Sequence, residues 1–93
     1  MKEKVRAHVI ISGRVQGVFF RMETMRTAEA MGIVGWVRNQ RDGTVEAVFE
    51  GNQAQVEKML SWCHEGPSHA RVTHVKIDWE EYTDAFTGFE VTF

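Results

Sequence analysis

The chain has 93 residues, room for one small domain and no second core. A hydrophobic fraction of 43% with 11% aromatics excludes a disordered tail, and no apolar run approaches the ~20 residues of a membrane span. The net charge of −2 excludes a uniformly basic nucleic-acid binder, yet the charge is unevenly divided: residues 1–41 carry eight Lys/Arg against three Asp/Glu, and residues 42–93 carry three against ten.

Residues 5–12 alternate, with Val5, Ala7, Val9 and Ile11 on one face, and predict a half-buried strand. Gly13-Arg14-Val15-Gln16-Gly17-Val18-Phe19-Phe20-Arg21 follows as a Gly-rich turn, with Phe19-Phe20 expected to anchor the helix behind it. From about Phe20 to Met31 the chain lacks Gly and Pro and favours helix, with Met25, Ala28 and Met31 as its expected apolar stripe and Gly32 as its C-cap. Residues 33–40 predict a second strand, Asp42-Gly43 a hairpin turn, and residues 44–50 a third strand with Val45, Ala47 and Phe49 on one face.

Asn52 is the expected cap of the next helix, whose Val56, Met59, Leu60 and Cys63 follow core-facing spacing and whose end is marked by Gly66-Pro67. Residues 72–79 alternate again, placing Thr73, Val75, Ile77 and Trp79 opposite Val72, His74, Lys76 and Asp78. Phe89, Val91 and Phe93 predict a last short strand with a core face. Strand, helix, strand, strand, helix, strand and a terminal strand make one α+β domain over residues 1–93. Its plan is ferredoxin-like, or split βαβ: an antiparallel sheet of four to five strands with two helices on one face.

The Gly-rich turn lacks the Gly-Lys-Ser/Thr of a nucleotide-binding P-loop and the spacing of a dinucleotide fingerprint. Exposed N–H groups, the start of a helix and the fork of Arg21 suit it to a phosphate-sized anion. Many strand-to-helix turns need glycine for geometry alone, so the residues leave both readings open. Asn39, near a strand end, can hold a water without taking its proton, or can merely satisfy turn backbone. Arg38 and Arg41 are expected to be solvated charges. His64, His69 and His74 are spaced by five, which suits neither a helix face nor a strand face and disfavours a metal site; His8 is expected on the sheet's polar face. Cys63 is the only cysteine, so no internal disulfide forms, and it reads as a small buried hydrophobe. Thr87–Phe93 has a shallow likeness to the aromatic strand of RNA-recognition domains, but Glu90 replaces the expected basic character. The N-terminal Met-Lys-Glu-Lys-Val-Arg has no signal-peptide pattern, so the expected location is cytoplasmic.

The Gly13–Arg21 motif, Ala28 and Gly32, Gly35-Trp36-Val37-Arg38-Asn39, Asp42-Gly43-Thr44-Val45-Glu46, Gly66-Pro67 and Ala70-Arg71-Val72 together resemble the acylphosphatase family from about Val5 to Phe93. The resemblance implies hydrolysis of the carboxyl–phosphate bond of small acyl phosphates to carboxylate and inorganic phosphate, with no metal or other cofactor. It implies that Arg21 binds the phosphoryl group, that Asn39 positions the attacking water, and that the backbone N–H groups of Val15, Gln16, Gly17, Val18, Phe19 and Phe20 complete the cradle. The expected protein is a monomer with a small-molecule acyl phosphate substrate and no nucleic-acid or membrane partner. The competing expectations are a non-catalytic ferredoxin-like module binding an anion or RNA, and a carbamoyl-phosphate-handling domain of the same family. Retention of both Arg21 and Asn39 weighs against the first, and the short chain against the second.

Overall fold

Alternation builds the sheet and helical spacing covers one side of it. A computed structural model describes residues 3–93; Met1 and Lys2 of the charged N-terminal stretch lie outside them. The elements are β1 (Lys4–Arg14), α1 (Phe20–Ala30), β2 (Val34–Asn39), β3 (Val45–Asn52), α2 (Gln53–Glu65), β4 (Arg71–Glu80) and β5 (Phe89–Val91). The sheet order is β4-β1-β3-β2-β5. Its four longer strands are antiparallel as expected. The short β5 instead runs parallel to β2, with Gly35, Trp36 and Val37 opposite Phe89, Glu90 and Val91, so the sheet is mixed. Both helices pack on one face, and the core between joins Ala7, Val9, Ile11, Val37, Val45, Ala47 and Phe49 to Phe20, Ala28, Val56, Met59, Leu60 and Cys63. Burial pushes the Cys63 thiol far above its ordinary value, which suits a packing role and leaves it inert.

Three local details differ from the sequence expectation. In α1 the fully buried line is Phe20, Thr24 and Ala28, one turn apart, while Met25 and Met31 pack at its edge. Thr24 can be buried because its hydroxyl donates to the Phe20 carbonyl oxygen at 2.7 Å, leaving a methyl to face the core. In α2 Asn52 occupies the cap position, but its side chain makes no capping hydrogen bond. In β4 the pairing register with β1 shifts between Ser12 and Gly13, where Ser12 faces His74 and Gly13 faces Val72. The extra residue, Thr73, switches the side-chain parity, so Val72 and Val75 both reach the core and Thr73 is exposed. Gly13 is required there: a Cβ at this position would collide with the Arg71 carbonyl oxygen.

The central strand β3 is buried on both faces from Val45 to Gly51. On the side away from the helices, neighbouring strands lay long side chains over it. Glu46 binds His8 Nε2 through Oε2 at 2.7 Å and accepts from Arg38 Nε through Oε1 at 2.6 Å. Arg38 also lies over Trp36, so it is a paired charge, contrary to the expectation of a solvated one. Glu50, with no exposed surface, accepts from Arg6, from the Thr83 hydroxyl and from the backbone N–H groups of Thr83 and Asp84. That clamp fixes the irregular segment between β4 and β5. For Glu46, burial raises the carboxyl, but the bonds from His8 and Arg38 outweigh it and hold it below its ordinary value. For Glu50, burial is likewise outweighed by Thr83 and Arg6.

Candidate active site

The Gly-rich turn connects β1 to α1 as residues 15–19. Gly17 adopts φ 73°, a left-handed conformation that glycine reaches without strain. Phe19 adopts φ 62° and ψ 21° immediately before the helix, a conformation that costs a bulky residue free energy. Its side chain is 75% exposed, so of the expected Phe19-Phe20 anchor only Phe20 is buried, against Trp62 at 5.5 Å between ring centroids. Among the described residues, the N–H groups of residues 15–19 donate to no protein acceptor, and the first helical bond runs from Glu23 N–H to the Phe19 carbonyl. The turn thus leads into a helix N-terminus with its own amides left unpaired by protein acceptors.

Beside the turn lies a cavity of about 780 Å³ lined by Val15, Gly17, Phe19, Phe20, Arg21 and Asn39, together with Met22 and Met25 of α1, Phe89 to Val91, and Phe93. Gln16 and Val18 contribute no lining surface. The Gln16 side-chain amide instead donates to the carbonyl oxygens of Gln40 at 2.7 Å and Thr44 at 2.8 Å, tying the turn to the β2–β3 hairpin. Asn39 is the last residue of β2 and pairs with Val45, so this tether holds the turn beside it. The hairpin itself is closed by the Gln40 N–H bonding Thr44 at 2.8 Å and the Thr44 N–H bonding the Asp42 carboxylate at 3.0 Å.

Asn39 Oδ1 is buried and has no hydrogen-bond partner among the described residues. An unpaired buried amide oxygen is costly, and it can be satisfied by a water donating to it from the cavity. Arg21 donates from one terminal nitrogen to the Thr92 carbonyl at 3.3 Å, and its guanidinium lies 4.9 Å from the Phe93 ring centroid. The last residues of the chain thus hold the arginine, and Phe93, 97% exposed, stacks there instead of in the core. Sequence reasoning missed Thr92 and Phe93 as Arg21's supports because nothing in the local pattern announces a parallel β5 beside β2. It missed the Gln16 tether because one glutamine in a turn carries no spacing signal. Among the described residues no group of three or more His, Cys, Asp or Glu is placed to hold a metal. A guanidinium, an unpaired amide oxygen and apolar side chains lining one cavity suit a phosphoryl group, a water and a carbon skeleton respectively.

The fold and this site define a ferredoxin-like α+β protein with an arginine-lined cavity at its first strand-to-helix turn. A family model described as Acylphosphatase matches residues 7–91. The acylphosphatase of Roseiflexus sp. is 55% identical over 91 residues, covering 98% of each chain, and that of Pelotomaculum thermopropionicum is 52% identical over 90 residues, covering 97% of this chain and 98% of the relative. The structure of an acylphosphatase from Coxiella burnetii superposes with a TM-score of 0.91 at 36% identity, covering 96% of this chain and 93% of that one. The chain belongs to the acylphosphatase family.

Proposed function

We propose that the protein hydrolyses the carboxyl–phosphate bond of acyl phosphates to a carboxylate and inorganic phosphate. The observation that carries the reading is that Arg21, Asn39 and the turn residues Val15, Gly17 and Phe19 line one cavity. In this reading Arg21 and the amides of Val15, Gln16, Gly17, Val18, Phe19 and Phe20 bind the phosphoryl oxygens. Negative charge on those oxygens shifts during transfer, and preorganised donors stabilise it without reorganising. Asn39 Oδ1 accepts a hydrogen bond from the attacking water and aims its lone pair at phosphorus. The water oxygen forms the new P–O bond as the P–O bond to the acyl carbon breaks, and its electron pair leaves with the carboxylate.

An amide is no general base, so the water's proton passes to a phosphoryl oxygen of the substrate. The leaving carboxylate is weakly basic and needs no general acid, so the scheme assigns no proton transfer to a histidine or carboxylic acid. No step in this scheme calls for a metal.

Near-complete coverage of both chain and relatives favours this reading over an RNA-binding module or a domain of a larger carbamoyl-phosphate enzyme. We read the protein as a cytoplasmic monomer without a nucleic-acid partner. The edge strand β4 supports the monomer, because Arg71, Lys76, Asp78 and Glu80 discourage edge-to-edge pairing. Among the described residues no helix is long and apolar enough to cross a membrane. The test is release of phosphate from acetyl phosphate in EDTA by the wild type and by Arg21→Ala, beside a phosphate monoester. Hydrolysis of the acyl phosphate alone, reduced about 10²-fold or more in the variant, is expected; a wild type without turnover would remove the reading.

A further inference from the structure

Four large hydrophobic side chains stand out as exposed among the described residues: Phe19, Met22, Trp79 and Phe93, at 75%, 45%, 52% and 97%. Three of the four line the cavity that holds Arg21 and Asn39. Exposed apolar groups gathered at one site mark a binding surface more often than chance placement does. Met25 of α1, with Phe89 and Val91 of β5, continues the same wall inward. The wall is far larger than a phosphate needs, and none of these side chains can bond one.

We propose that this wall is the subsite for the acyl group, and that it selects acyl phosphates whose acyl group is apolar, uncharged and of about four carbons or more. The proposal rests on the hydrolase reading and adds which acyl phosphates are used. With the phosphoryl group on Arg21, the acyl group must occupy the rest of the cavity, whose lining includes Phe19, Met22 and Phe93. Charge supports the same choice. Arg21 is the only cation among the lining residues and is occupied by the phosphoryl group, whereas Glu90 also lies at the cavity. A second anionic group on the substrate would find no partner and would face a carboxylate in the neighbourhood.

The test compares kcat/KM for acetyl, butanoyl, hexanoyl and succinyl monophosphates with the wild type and Met22→Ser. The alkanoyl series holds leaving-group basicity nearly constant while apolar length grows, and succinyl is close to butanoyl in length but carries a second charge. Partial burial contributes about two- to fourfold per methylene, so hexanoyl should exceed acetyl by at least about tenfold. Butanoyl should exceed succinyl by a similar factor. Met22→Ser, on an exposed helix position, should lower the hexanoyl-to-acetyl ratio about threefold or more. Cleavage of acetyl phosphate with a ratio near one, or a preference for succinyl, overturns the acyl selectivity and leaves the hydrolase reading standing. A chain-length preference that Met22→Ser leaves intact overturns the assignment to this wall. Cleavage of none of the four overturns both.

Discussion

At the residue scale, the proposed mechanism divides the work between two side chains. The guanidinium of Arg21 is held in place by the Thr92 carbonyl and the Phe93 ring, so its fork is oriented before substrate arrives. An ammonium cannot reproduce two parallel donors or stack on a ring in the same way. Arg21→Lys should therefore lose about 10²-fold in kcat/KM, nearly as much as Arg21→Ala, in an acyl phosphate assay. The Asn39 oxygen has no partner among the described residues to lose. Asn39→Ala should lower kcat about 10²-fold while changing the inhibition constant of inorganic phosphate less than about threefold. Its unfolding free energy should stay within about 0.5 kcal/mol of wild type. An equal loss of phosphate affinity would assign Asn39 to the cradle. Thr24 shows the limit of residue-type reasoning: a hydroxyl satisfied inside its own helix lets a threonine take a place the pattern reserved for methionine.

At the element scale, the site exists because a turn and a hairpin are tied together. The two bonds from Gln16 to Gln40 and Thr44 cross from the β1–α1 turn to the end of β2. Gln16→Ala should cost about 1–2 kcal/mol of stability for two lost hydrogen bonds, read as a fall in Tm of several degrees. It should lower kcat/KM by about tenfold or more, because small misplacement of reacting groups is expensive. Full activity with lowered stability would make the tether purely structural. The second tie is the Glu50 clamp, which places the segment leading to β5 and so to Phe93. Glu50→Gln should destabilise by about 2–3 kcal/mol in urea unfolding, since it leaves Arg6 and backbone donors poorly paired. The β2–β3 hairpin was legible from Asp42-Gly43 because its turn chemistry is local. The Glu50 clamp was not, because its partners lie more than thirty residues away along the chain.

At the scale of the whole molecule, the open face of the sheet is a charged cover. Arg6 with Glu50 and Glu80, and His8 and Arg38 with Glu46, lie across three neighbouring strands and the edge. Both buried glutamates titrate below their ordinary value of 4.5 in the folded chain. The unfolded chain thus binds protons more readily, and folding stability rises with pH across this window. The stabilisation is present above about pH 4.5 and is lost as pH falls through the lowered values. Urea midpoints at pH 7, 5 and 3 should be similar at the first two and fall at the third; a higher midpoint at pH 3 would contradict the cover's role.

What the residues determined unaided was whatever depends on near neighbours. Strand alternation, the Val56–Cys63 stripe, the Gly66-Pro67 stop and the hairpin all follow from repeats shorter than a helical turn or two. Arg21 and Asn39 were singled out because the motifs around them resemble the acylphosphatase family, whose model matches residues 7–91. Only the tertiary structure decided that β5 runs parallel beside β2, that Phe93 leaves the core to stack on Arg21, and that Thr73 shifts the parity of β4. It alone gathered Phe19, Met22 and Phe93 around one cavity. These features depend on which distant segments meet, and short-range periodicity carries no information about that.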